Sequence, residues 1–143
     1  MARRAAEIVL HASAVAFGAR AVLIRGRSGS GKSALALRLM ALGGTLVSDD
    51  RTRVSGAGDA PVARAPETIR GLIEARGVGI LNADTVDSAE IVLVVDLDRT
   101  ETERLPPRRT TELAGHHVEL IHGRESAHFP AAVRQYVIAG RSA

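Results

Sequence analysis

The octapeptide Gly26-Arg27-Ser28-Gly29-Ser30-Gly31-Lys32-Ser33 constrains this chain more than any other stretch. It fills every fixed position of the G-x-x-x-x-G-K-[ST] phosphate-binding loop. Its flanks agree with that reading. Arg20-Ala21-Val22-Leu23-Ile24 before it is short and apolar, as a buried strand is, and residues 33–42 after it are rich in strong helix formers. Strand, glycine loop and helix in that order aim backbone N–H groups and a helix N-terminus at an anion. Gly26, Gly29 and Gly31 let the backbone close where a Cβ would collide. Ser28 and Ser30 complete the cradle, Lys32 reaches the β and γ phosphates, and the Ser33 hydroxyl sits on a magnesium ion.

At 143 residues the chain is one domain, spanning 1–143, with enough length for a core. Apolar residues make up 45% but aromatic residues only 2%, so that core is built from Ala, Val, Leu and Ile. The absence of cysteine excludes a disulfide framework, a zinc-thiolate site and a thiol nucleophile. No apolar run approaches the roughly 18 residues of a membrane span. Residues 1–10 faintly imitate a signal peptide, but Glu7 and His11 interrupt the apolar stretch, and the expectation is a cytoplasmic chain that meets no membrane. Lysine and arginine total 19, and Lys32 is the only lysine. The arginines are scattered, with no aromatic stacking platform among them, which argues against a nucleic-acid partner.

Along the chain, residues 8–15 read as a strand, Phe17-Gly18-Ala19 as a turn, and residues 21–24 as its hairpin partner. After the loop and its helix, Gly43-Gly44 caps the helix. Residues 45–48 form a strand ending in Asp49-Asp50, and this strand-loop-helix-strand unit implies a parallel pair. Residues 51–54 and 61–65 flank a surface hairpin turn. Pro66-Glu67 opens a short helix to about Ile73. An extended piece follows from Ile80. Residues 90–96 are the clearest buried strand. Residues 99–111, with Pro106-Pro107, read as a mobile loop. Residues 118–121 are a last strand, 122–125 a loop and 130–139 a last helix.

A phosphate loop alone does not choose among kinases, GTPases and ATPases, and the choice lies in the acids. Asp96 closes the apolar strand, as a Walker-B aspartate does. Asp49 and Asp50 end the strand after the loop helix, where open α/β sheets place ligands. As strand neighbours they point to opposite faces and can divide metal binding from contact with an incoming hydroxyl. Paired aspartates are equally a turn signal. His11 is by itself an ordinary structural histidine, Glu74 a helix-end residue and Arg124 a solvated loop cation. His116, His117, His122 and His128 fit no metal-ligand spacing.

Together, Leu10-His11-Ala12, the phosphate loop, Leu46-Val47-Ser48-Asp49-Asp50, Arg64-Ala65-Pro66 and Glu74-Ala75-Arg76-Gly77-Val78-Gly79 occur in the order seen in the bacterial HPr kinase/phosphorylase family. Over about residues 10–140 the chain resembles the catalytic domain of that family in a short form. The resemblance implies an α/β single P-loop domain of the PEP carboxykinase type, with a central mixed sheet flanked by helices. It implies ATP- and Mg²⁺-dependent phosphorylation of a serine on HPr, the phosphocarrier of the sugar phosphotransferase system. The reverse direction is phosphorolysis by inorganic phosphate, giving pyrophosphate. By motif, Asp50 is the general base, His11 lies beside the transferred phosphate, and Ser33, Asp49 and Glu74 neighbour the magnesium. Arg76 belongs to the E-x-R-G-x-G signature, and Arg124 matches an arginine at the nucleotide. A homo-oligomer, a hexamer, is also implied. Ala34 stands where the family often has an acid, and His122-Gly123-Arg124 lacks the family's proline. The other readings of the same residues are a small-molecule kinase or NTPase, and a non-catalytic ATP-sensing module that docks HPr or a two-component regulator.

Overall fold

The computed structural model describes residues 7–143, so residues 1–6 of the signal-like stretch lie outside the described residues. The first expected strand is two, Ile8–Leu10 (β1) and Ala12–Phe17 (β2), parted by a bend at His11. Arg20–Arg25 (β3) returns antiparallel to β2 through Gly18, as the hairpin signal predicts. The phosphate loop then leads into Lys32–Ala41 (α1). Gly43, at φ 101°, ends that helix: its N–H donates to Met40 O and the Gly44 N–H to Leu39 O, the paired bonds of a Schellman cap. Thr45–Ser48 (β4) follows.

β4 runs antiparallel to β2, which is itself antiparallel to β3. The β3-α1-β4 crossover therefore joins parallel strands, but β2 lies between them and they do not pair. Local sequence carries no trace of this insertion, because the β2–β4 ladder is non-local. Thr52–Ser55 (β5) and Val62–Arg64 (β6) form the expected hairpin.

The helix expected from Pro66 to Ile73 is a single 3₁₀ turn, Glu67–Ile69. Leu72–Ala75 (β7) is a strand, paired with Gly79–Asn82 (β8) across a turn at Gly77. Ile73 and Ala75 are buried while Glu74 and Arg76 are exposed, the period-two alternation of a strand. Glu74 is thus mid-strand and not at a helix end.

Ala89–Thr100 (β9) is the long central strand. Arg109–Leu113 (β10) and His116–Gly123 (β11) follow, and the charged loop shrinks to residues 101–108. His122 and Gly123 belong to β11, not to the loop after it. Phe129–Ala139 (α2) closes the chain.

The main sheet is mixed and runs β1-β5-β6-β9-β3-β2-β4, with β11 also on β9 and β10 on β11. Both helices pack on one face. Leu35, Ala36 and Leu39 of α1 and Val133 and Val137 of α2 share a cluster with Val15, Val22, Ile24, Leu93 and Val95. Among the described residues the helices that flank the mixed sheet lie on this one face. Its opposite face buries small and branched residues, Ala12, Ala14, Ala21, Leu23 and Val94, against Val54, Ala63, Leu113 and Val118 from the sheet's own outer strands. Among the described residues no helix is long and apolar enough to cross a membrane.

Candidate active site

Two chain reversals meet at one end of the sheet. The first is the phosphate loop between β3 and α1. Arg27 N–H donates to Asp98 Oδ1 at 3.0 Å, tying the loop's start to β9, and Ser30 N–H donates to Arg27 O at 3.1 Å. Lys32 is 6% exposed, and its Nζ donates to Gly26 O (2.7 Å) and Arg27 O (3.0 Å). The loop thus carries its cation folded against its own carbonyls.

The second reversal is the turn after β4. Asp49 is buried. Its Oδ1 accepts hydrogen bonds from Ser33 Oγ (2.7 Å) and Ser13 Oγ (2.8 Å), and its Oδ2 accepts one from the Glu74 N–H (3.0 Å). None of these three partners is positively charged. Asp50 faces outward, with its Oδ1 3.9 Å from Lys32 Nζ. The two carboxylates do diverge, but through a turn rather than through strand alternation, since β4 ends at Ser48.

A cleft of about 700 Å³ is lined by Ser28, Gly29, Gly31, Lys32 and Ser33 on one side and by Asp49, Asp50, Glu74 and Arg76 on the other. A second cavity, about 570 Å³, lies across the start of α1, between Ser30, Gly31 and Arg38 and the segment that includes Arg124, Ser126 and Phe129. Arg38 lines both.

Lys32, Ser33, Asp49, Asp50 and Glu74 are thereby brought together. Gly26 is at the base of the loop, its carbonyl on Lys32. Arg124 lies in the neighbouring cavity and donates to Glu101 O at 3.3 Å. His11 sits exposed in the bend before β2 and does not line either cavity. Asp96 is buried beside β3 with Arg25 at 3.6 Å and Arg99 at 4.0 Å, and it too lines neither.

Among the described residues no cluster of three or more His, Cys, Asp or Glu could hold a metal alone. A hydroxyl and a buried carboxylate with only neutral partners, beside a phosphate loop, nevertheless suit a hard cation. Magnesium is commonly bound through one or two carboxylates and completed by substrate phosphates and water.

The family model of the HPr Serine kinase C-terminal domain matches residues 2–122. The chain belongs to this family. Its relatives include HPr kinase/phosphorylase of Caldanaerobacter subterraneus subsp. tengcongensis, 36% identical over 108 residues, which are 70% of this chain and 35% of that protein. The same-named protein of Xanthomonas campestris pv. campestris is 36% identical over 125 residues, 80% of this chain and 40% of that one. The chain thus spans well under half the length of these relatives. The structure of the Hpr(Ser) kinase/phosphatase from Coxiella burnetii superposes with a TM-score of 0.76 at 23% identity, over 92% of this chain and 88% of that one, which establishes a shared fold. The family match begins before β1 and stops within β11, so α2 lies beyond it.

Sequence reading overlooked Ser13, Ser48 and Thr52, whose hydroxyls all bond into the aspartate turn or its flank. A signal was available for the first. Ser13 interrupts the run Ala12-Ser13-Ala14-Val15, and a hydroxyl inside an apolar strand must have a partner.

Proposed function

We propose that this chain is a phosphoryl-transfer domain that moves the γ-phosphoryl group of ATP to a serine hydroxyl of HPr. The observation that carries the reading is the meeting of the two reversals: Ser33 on Asp49 at 2.7 Å and Lys32 opposite Asp50 at 3.9 Å, in one open cleft. Phosphoryl transfer asks chiefly for positioning and charge compensation, and this arrangement offers both.

On this reading the loop amides and Lys32 hold the phosphates. Ser33 and Asp49, with Glu74 nearby, hold a magnesium ion, which supplies charge neutralisation on the phosphate oxygens when bound. The acceptor hydroxyl approaches from the Asp50 side. Its oxygen bonds to the γ-phosphorus, the bond to the β,γ-bridging oxygen breaks, ADP leaves, and the serine proton passes to the Asp50 carboxylate. Asp50 acts first by orienting the hydroxyl and takes the proton as the bond to phosphorus forms. The cavity beyond Gly31, with Arg38 and Arg124, receives the rest of the nucleotide. Running the same steps backward with inorganic phosphate as the nucleophile on phosphoserine yields pyrophosphate and free serine.

The test is incubation with γ-labelled ATP, Mg²⁺ and purified HPr. Label should appear on an HPr serine, and Lys32→Ala should abolish it without unfolding the chain. ATP turnover without label on HPr would replace this reading by that of a small-molecule kinase or NTPase.

A further inference from the structure

The turn carrying Asp50 is closed by the Arg51 N–H on Asp49 O at 2.7 Å, with Asp50 at φ 63°. A three-residue turn around a residue of positive φ is uncommon and strained, and such strain persists only where surrounding contacts over-determine it. Those contacts are side-chain hydroxyls. Ser48 Oγ donates to Arg51 O, and Thr52 Oγ1 donates to Ala12 O at 2.7 Å. Ser13 Oγ does two things: it donates to Asp49 Oδ1 at 2.8 Å and accepts the Asp50 N–H at 3.0 Å. Among the described residues it is the one hydroxyl that bonds to both aspartates.

Its position in the sheet explains why. The β2–β4 ladder makes its last backbone rung at Ala14↔Ser48. Beyond that rung the chain turns away, and the Ser13 side chain, wholly buried on β2, takes up the bond that the backbone no longer makes. The Asp50 side chain is 61% exposed, and among the described residues its one ion pair is with the Lys32 ammonium at 3.9 Å. With most of that side chain in solvent, the backbone sets the point from which it reaches Lys32, and Ser13 bonds to that backbone.

We propose that Ser13 is the positioning residue of the aspartate turn. Its hydroxyl fixes the backbone from which the Asp50 carboxylate projects, and it fixes the Asp49 carboxylate toward Ser33. The two roles are coupled. A hydroxyl whose proton is drawn by a carboxylate is a better acceptor, so the charge on Asp49 is felt at the Asp50 amide. The consequence for catalysis rests on the phosphoryl-transfer reading; the consequence for the turn does not.

The experiment has an arm for each. By amide hydrogen exchange, Ser13→Ala should speed exchange of the Asp50 amide by about tenfold, the weight of one hydrogen bond, with the amides of β3 and β9 unchanged. Asp49→Asn leaves Ser13 in place and should speed the same amide, so it reads the link even if Ser13→Ala loosens the whole sheet. An Asp50 amide that exchanges at the wild-type rate in both variants overturns the proposal. In the transfer assay, Ser13→Ala should lower kcat by about 10–10²-fold with the KM for ATP little changed, since loss of orientation at a distance carries penalties of that order. At saturating magnesium, where the Asp49 route no longer limits the rate, adding Ser13→Ala to Asp50→Asn should cost nothing further. A Ser13→Ala chain with wild-type kcat, or losses that multiply in the double variant, overturns positioning. Wild-type chain that transfers to no acceptor sinks the phosphoryl-transfer reading, and the exchange arm still decides the turn.

Discussion

Asp49 and Asp50 are neighbours with opposite surroundings. The first is buried and accepts from three neutral donors; the second is open and faces a cation. Their substitutions should separate accordingly. Asp50→Asn keeps the shape but not the proton acceptor, so transfer should fall about 10²–10⁴-fold, the range for a general base, with nucleotide affinity little changed. Asp49→Asn should raise the magnesium concentration needed for half-maximal rate. Asp96, held by Arg25 and Arg99, should on conversion to Asn alter stability more than transfer. Initial rates and nucleotide affinities across the three variants decide this, and loss of magnesium-dependent transfer in Asp96→Asn alone would return the chain to an ordinary Walker-B arrangement. Lys32→Arg should not restore what Lys32→Ala loses, because a planar fork does not replace a point charge held between Gly26 O and Arg27 O. At this scale the phosphate loop was legible because its residues are contiguous and act through backbone. Ser13 was not, because its partner is 36 residues away.

The element most open to a stability test is the end of α1. Gly44 bonds back to Leu39 O, and a Cβ there would lie 2.5 Å from Val15 Cγ1 and 2.9 Å from Leu39 O. Gly44→Ala should therefore destabilise by about 1–3 kcal/mol, the cost of overpacking a fitted site, seen as a lower midpoint in thermal or denaturant unfolding. The β3-loop-α1 unit and the β5–β6 hairpin could be read ahead because periodicity, glycine and proline all agree locally. β7 could not, because Pro66-Glu67 is a genuine helix-start signal that the chain uses for one 3₁₀ turn only. What makes Leu72–Ala75 a strand is its partner β8 and the turn at Gly77. The insertion of β2 between β3 and β4 was equally hidden, since it places side by side strands that are separated in sequence by the whole phosphate loop and helix.

Across the whole molecule, α2 is joined to the sheet by Tyr136, whose hydroxyl donates to Glu119 Oε2 at 2.5 Å. Burial, reinforced by the Glu119 carboxylate, pushes its pKa from 10.0 up to about 12. The folded chain keeps this proton after the unfolded chain has lost it, so between about pH 10 and about 12 unfolding releases a proton and stability falls as pH rises. Tyr136 is the only tyrosine, so an ultraviolet titration should show one phenolate step with a midpoint near 12, and Tyr136→Phe should flatten the alkaline decline in melting temperature. At the acid end the Arg109 guanidinium, 2.5 Å from Glu101, holds that carboxyl below its ordinary 4.5. That contribution is present above 4.5 and is lost as pH falls through the depressed value. A different use follows from Lys32, the only lysine in the sequence and buried within its own loop. Amine acylation can mark one side chain in this protein, and that side chain lines the cleft beside the phosphate loop, where the proposed nucleotide would cover it. The fraction of chains labelled in the Lys32 peptide, measured by mass spectrometry against nucleotide concentration, is then a binding isotherm that needs no dye, no turnover and no acceptor protein.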